Sequence, residues 1–163
     1  MTPRHPFFRI GYPLFLVICL VLTGTALQAQ PAVDNPDFQN DNGFFRVASG
    51  WASFGGHKWE AVWDAQRSFT QGVTDVPPGQ MAGVYQQIAV SPGQHYRAGV
   101  YARSNRPGMS VSLGIDPAGG RHPAGAQFAD FYSATDWKLI EVEFTAAGPT
   151  ATLFLAGFNP SGR

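Results

Sequence analysis

Between Val84 and Arg103 the chain alternates its residue types with period two, breaks at Ser91-Pro92-Gly93-Gln94, and then alternates again. In the first run Val84, Gln86, Ile88 and Val90 fall on one face of an extended strand, and Tyr85 and Gln87 fall on the other. In the second run Tyr96, Ala98, Val100 and Ala102 share a face, opposite Arg97, Tyr101 and Arg103. The proline presets the bend between them and the glycine accepts positive φ. This pattern predicts a β-hairpin with one buried side and one polar-aromatic side. It also excludes a helix, and beyond residue 30 no stretch shows a sustained i, i+3, i+4, i+7 apolar stripe.

Further alternating runs follow. Met109 to Ile115 is one, Gln127 to Tyr132 a short one, Lys138 to Phe144 a clear one, and Ala151 to Leu155 the last. Turn residues separate them: Arg106-Pro107-Gly108, Asp116-Pro117-Ala118-Gly119-Gly120 and Ala146-Ala147-Gly148-Pro149. With 19 glycines and 13 prolines in 163 residues, the composition favours short strands joined by tight turns over helices. The expected fold is all-β, an antiparallel β-sandwich. The stretch Gly50 to Gly79 is the least regular and holds Trp51, Trp59 and Trp63. Trp51 reads as a core anchor, Trp59 and Trp63 as loop residues near a rim, and Trp137 as core.

The N-terminus belongs to a different category. Met1 to Arg9 carries two arginines and no acid, and Ile10 to Thr25 is almost wholly apolar. Small residues follow at Gly24-Thr25-Ala26 and at Ala29. These features predict a secretory signal peptide over residues 1–29, helical before cleavage, with an uncleaved anchor as the alternative. Residues 30–163 form a single domain. The only cysteine, Cys19, lies in the signal, so the exported domain has no thiol chemistry and no disulfide. Eleven basic and eleven acidic side chains balance to a net charge of zero. No electrostatic footprint for nucleic acid or an anionic membrane surface exists in such a chain.

The residues resemble a known family at several points. Asn35-Pro36-Asp37-Phe38-Gln39, followed by Gly50-Trp51, resembles the entry to carbohydrate-binding modules of the family 4/9/22 type. Ala82 to Ser104 resembles their central strands and Pro-Gly turn, and Val111 to Gly120, Trp137 and Ala151 to Gly157 resemble later strands. The resemblance implies a galactose-binding-like jelly roll of two packed sheets with a ligand cleft on one concave face. Members often hold a structural calcium through a glutamate at the position of Gln39 and an aspartate on one further strand. A neutral amide is a weaker ligand for a hard cation. Phe158 to Arg163 has turn composition rather than that of a strand, which suggests a C-terminally truncated fragment or an exposed sheet edge.

No catalytic constellation is recognisable. Glu141 and Glu143 share one strand face rather than opposing each other across a cleft, and His57, His95 and His122 lack metal-ligand spacing. Gly114-Ile115-Asp116-Pro117-Ala118-Gly119-Gly120 lacks the lysine and the helix of a phosphate loop and the acids of a calcium loop, so it reads as a turn in which Asp116 bonds local amides. Sugar rings stack their C–H faces on aromatics while amides, guanidinium groups and carboxylates take the hydroxyls. That chemistry selects Tyr85, Gln87, Tyr101 and Arg103, with Tyr132 and Asp130 from a neighbouring strand and Trp59 and Trp63 from the rim. The reading is a secreted, non-catalytic module that binds polysaccharide or cell-surface glycan with no required cofactor; an appended or partner catalytic domain would explain what such a module targets. The alternative is a structural or adhesion sandwich that contacts protein, or its own copies, through an exposed edge.

Overall fold

The computed structural model describes residues 31–40, 47–55, 58–64 and 68–160, without side chains at residues 58–64, 68 and 69. The signal peptide expected over residues 1–29 lies outside the described residues. Among the described residues nine strands follow in order: β1 (Ala52–Phe54), β2 (Lys58–Asp64), β3 (Ser68–Thr74), β4 (Gln80–Ala89), β5 (His95–Ala102), β6 (Ser110–Asp116), β7 (Gln127–Phe128), β8 (Lys138–Thr145) and β9 (Thr150–Asn159). Every pairing is antiparallel. One sheet runs β1-β4-β9-β6-β7; β5 pairs with β8, and β2 pairs with β3. The all-β sandwich expected from alternation is therefore the observed fold.

Its connectivity corrects one expectation. The strands either side of Pro92-Gly93 do not pair with each other: β4 lies between β1 and β9, while β5 lies against β8. The turn is an arch that carries the chain from one layer to the other. Both strands point their apolar residues at each other, and Ile88 meets Tyr96, Ala98 and Val100 across a core completed by Leu113, Ile115, Ile140, Phe144 and Leu153. Side-by-side pairing would have left both apolar rows on one surface. Facing pairing buries each row against the other.

A second arch, between β8 and β9, lies beside the first. Val90 N–H donates to Pro149 O at 2.9 Å, Gly93 N–H to Ala146 O at 2.8 Å, and Ala146 N–H to Gln94 O at 2.9 Å. The buried Tyr96 hydroxyl accepts the Ser91 N–H at 2.8 Å, which fixes the first arch to the core. Backbone groups that leave one sheet thus find partners before entering the next.

Three further expectations change. Gly50 to Gly79 is not irregular, because β1, β2 and β3 occupy most of it. Phe158 and Asn159 are not turn residues but continue β9, pairing with Met81 and Gln80. Of Gln127 to Tyr132 only Gln127–Phe128 is strand, with an isolated bridge from Tyr132 to Val111.

The outer face of the five-stranded sheet carries an aromatic layer. Phe154, fully buried, touches Phe54 at 5.6 Å, Tyr85 at 5.7 Å and Phe128 at 6.5 Å between ring centroids. Phe128, Phe131 and Phe158 continue the row. Gly114 pairs with Phe154 in register and Gly83 with Ala156, two residues on, and a Cβ at Gly83 would meet the Phe54 ring at 2.6 Å and one at Gly114 the Phe128 ring at 2.5 Å. The missing side chains are what let these rings lie down on the sheet.

The N-terminal segment closes the far end. Phe38 packs on Trp51 at 5.2 Å with Ala48 and Val84, so Trp51 is the core anchor expected of it. Gln86, the polar member of an otherwise apolar row, is buried. Its Oε1 accepts the Asp34 N–H at 2.8 Å, and its Nε2 donates to Asp34 O at 3.0 Å and Gly50 O at 2.8 Å.

Candidate functional site

The second layer has a gap. β5–β8 covers one end of the inner face of the five-stranded sheet, while β3 packs over the other end, where Val73 stands 3.7 Å from the place a Cβ on Gly157 would occupy. Between β3 and the end of β5 a cleft of about 440 Å³ opens. Its floor is the inner face of the first sheet, at Val84, Val111, Leu155 and Gly157. That volume lies within the range of small-ligand sites, and an apolar floor with a few polar groups is their usual lining.

Tyr101 and Arg103 stand at this cleft, together with Trp137. Tyr101 is half-buried and Arg103 exposed. The guanidinium carbon of Arg103 lies 5.2 Å from the Trp137 ring centroid, a cation–π arrangement. Buried Ser104 sets the geometry of the loop: its N–H donates to Ala134 O at 2.9 Å and its hydroxyl to Arg106 O at 2.9 Å. Trp137 is half-buried and lines the cleft, where the sequence placed it in the core. Its position just before β8, opposite the residue after β5, was the signal: past the paired ends a large ring has no core to enter.

The other residues singled out in the sequence lie elsewhere. Tyr85 and Gln87 are on the outer face of β4, across the sandwich from Tyr101 and Arg103, as the arch requires. They border a polar groove of about 320 Å³ with Asp34, Trp51, Ala52 and Arg121. Tyr132 packs against the main core with its ring under the Lys138 ammonium at 5.0 Å, and Asp130 is exposed beside it. Neither lines the cleft. Trp59 and Trp63 belong to β2, in register with Val73 and Phe69, and their side chains lie outside the described residues.

One solved structure with this fold is informative. TmCBM61, a carbohydrate-binding module in complex with β-1,4-galactotriose, is similar to this chain with a TM-score of 0.54 at 16% identity, over 82% of this chain and 91% of that chain. At that identity the likeness is one of fold. No family model matches the chain, and no curated protein matches it.

The remaining candidates for chemistry have structural employment. Glu141 pairs with Arg97 at 2.6 Å, and Glu143 lies 3.6 Å from His95, all four exposed on the outer face of β5–β8. His122 Nδ1 accepts the Ala124 N–H at 3.2 Å at the head of a 3-10 turn. Asp116 is buried, and its Oδ1 accepts the Ala118 N–H at 2.8 Å, the local amide bond expected of a turn aspartate. His57 lies outside the described residues. At the expected calcium position Gln39 Nε2 donates back to Asp37 O at 2.8 Å, and among the described residues no three metal-ligating side chains converge. This donor set does not fit a hard cation.

Proposed function

We propose that the chain is a secreted, non-catalytic module of the carbohydrate-binding type resembling families 4, 9 and 22, and that it holds a glycan segment in the cleft between β3 and β5. The observation that carries the reading is the conjunction of Tyr101, Arg103 and Trp137 at the mouth of a 440 Å³ cleft. An aromatic ring offers a face to sugar C–H groups, and a guanidinium offers a planar fork to hydroxyl or ring oxygens. The likeness to a fold that binds β-1,4-galactotriose in TmCBM61 supports a saccharide as the occupant. Export by the N-terminal signal would place such a module where polysaccharides are met. Binding of this kind requires no cofactor and no metal.

The mechanism is reversible capture. The cleft's apolar floor excludes water from one side of the ligand, while the polar rim fixes which hydroxyls are accepted. No bond of the ligand is made or broken. Affinity electrophoresis in polysaccharide gels, followed by calorimetry with oligosaccharides, tests the reading. Wild type should be retarded by at least one neutral polysaccharide, and Tyr101→Ala or Trp137→Ala should abolish the retardation without changing the circular dichroism spectrum. Retardation that survives both substitutions would remove the cleft from the function. Concentration-dependent self-association with no retardation in any gel would favour a structural or adhesive module instead.

A further inference from the structure

The groove on the opposite layer has its own construction. β1 is three residues long, and its first residue, Ala52, is in register with Tyr85. Gln87, two residues on, therefore has no strand partner on that side among the described residues, and the small Ala52 side chain adds little cover above Tyr85. The result is the polar groove of about 320 Å³ that ends at Asp34 and Trp51.

The loop that begins with Asp116-Pro117-Ala118-Gly119-Gly120 supplies the other wall. Gly119 O accepts the Gln87 Nε2–H at 2.6 Å, which sets the side-chain amide with Oε1 turned toward Arg121. Arg121 Nε then donates to that Oε1 at 2.9 Å. With Nε committed, the planar guanidinium is oriented, and its two terminal nitrogens have no partner among the described residues. The same holds for the carboxylate of Asp34 and the hydroxyl of Tyr85. A cation held in place, an anion and a phenol, each with unspent hydrogen-bonding capacity, thus border one open groove beside the Tyr85 ring.

We propose that this groove is a second saccharide-binding site, on the opposite layer from the cleft, and that it selects neutral sugars. The asymmetry of donors and acceptors points that way. A diol offers hydroxyl hydrogens to Asp34 and oxygens to Arg121 at once, while its ring lies over Tyr85. An acidic sugar would gain from Arg121 and meet repulsion from Asp34, so the pair of opposite charges cancels any advantage of a net-charged ligand. Gln87 is a positioning residue, acting through Arg121. The choice of a saccharide rests on the reading of the cleft given above; the groove's construction does not. With one site on each layer, the chain is bivalent and can bridge two glycan strands or grip one twice, with avidity exceeding either affinity.

The test uses the whole chain, neutral oligosaccharides (β-1,4-galactotriose first) and galacturonate oligomers of equal length. Calorimetry reads stoichiometry, and amide NMR shifts read location. Wild type should take two equivalents of one neutral oligosaccharide, with shifts both at Tyr101 to Ser104 and at Tyr85 to Gln87 and Gly119 to Arg121. Arg121→Ala should lower the stoichiometry to one and weaken the groove at least tenfold, leaving the cleft shifts intact. Tyr101→Ala should do the reverse. Asp34→Asn, which keeps the backbone bonds to Gln86, should raise groove affinity for the galacturonate oligomer several-fold. One equivalent in wild type, with shifts confined to the cleft, would overturn the second site and leave the cleft reading standing. Shifts confined to the groove would do the opposite, and failure of every saccharide would end both.

Discussion

The two layers of this sandwich solve the same problem differently. The five-stranded sheet is continuous, and it buries most of both faces: the inner one against β5–β8 and β3, the outer one under a row of phenylalanines. The second layer is two separate strand pairs, and its outer face carries exposed ion pairs over β5–β8. A continuous layer spends its residues on packing and has no opening through it. A broken layer leaves a stretch of the facing sheet uncovered, and that stretch is the floor of the cleft. Stability is therefore concentrated in the first layer, and the larger opening is a consequence of the second.

Phe154 tests this contrast most directly. It is fully buried although it sits on the outer face, and it touches three other rings. Phe154→Ala should cost about 3–5 kcal/mol, since it removes a large ring and leaves the flanking glycines nothing to fill the space. Urea denaturation measures it. A cost below about 1 kcal/mol would mean that the aromatic row is a solvated ornament and the layers do not differ.

Gln86 comes next. Gln86→Leu keeps the approximate shape but strands the Asp34 N–H and the Gly50 carbonyl, while Asp34 O keeps the Trp51 Nε1–H at 3.1 Å. The expected loss is about 2–4 kcal/mol, because buried groups left unpaired cost their full desolvation. Limited proteolysis should show earlier cleavage between residues 31 and 51 in the variant. Unchanged stability would show that the N-terminal segment is not part of the first layer's core.

Strands were legible in the sequence because alternation reports which face of a strand is buried. Partners were not, because alternation carries no information on pairing. Val84 to Val90 and Tyr96 to Arg103 alternate in the same way whether they lie side by side or face each other, and a Pro-Gly turn serves both arrangements. That ambiguity propagated into the site. A hairpin would have joined Tyr85 and Gln87 to Tyr101 and Arg103; the arch separates them by the thickness of the sandwich. Lys58 to Asp64 was a missed signal of another kind. Trp59, Ala61 and Trp63 alternate with Lys58, Glu60, Val62 and Asp64, yet the crowd of tryptophans obscured the period. Arg121 and Asp34 could not have been found from motifs, since both reach their groove through long-range bonds between side chain and backbone, Gln87 to Gly119 and Asp34 to Gln86.

Thr152 sharpens the comparison from within the first layer. It is fully buried between Gln87 and Asp116 in register, and its hydroxyl has no hydrogen-bond partner among the described residues. Thr152→Val keeps the branched shape and removes the unpaired oxygen. A gain of about 1 kcal/mol is expected. Thermal melts decide it, and a loss of similar size would show that the hydroxyl has found a partner in solution.

The smallest effect belongs to the second layer. Arg97 and Glu141 form the shortest ion pair on β5–β8, yet their side chains are 44% and 37% exposed. At that exposure water and salt screen most of the attraction, and ordering two long side chains offsets much of the rest. Glu141→Gln should therefore change stability by no more than about 0.5 kcal/mol, and wild type and variant should converge as ionic strength rises. Urea midpoints at low and high salt measure both statements. A cost above about 1 kcal/mol that persists in high salt would mean the outer face of β5–β8 is held by its charges as firmly as the other layer is held by its rings. The asymmetry between the layers would then lie in chemistry alone, and the cleft would have to be explained by the spacing of β3 from β5 rather than by where the stability resides.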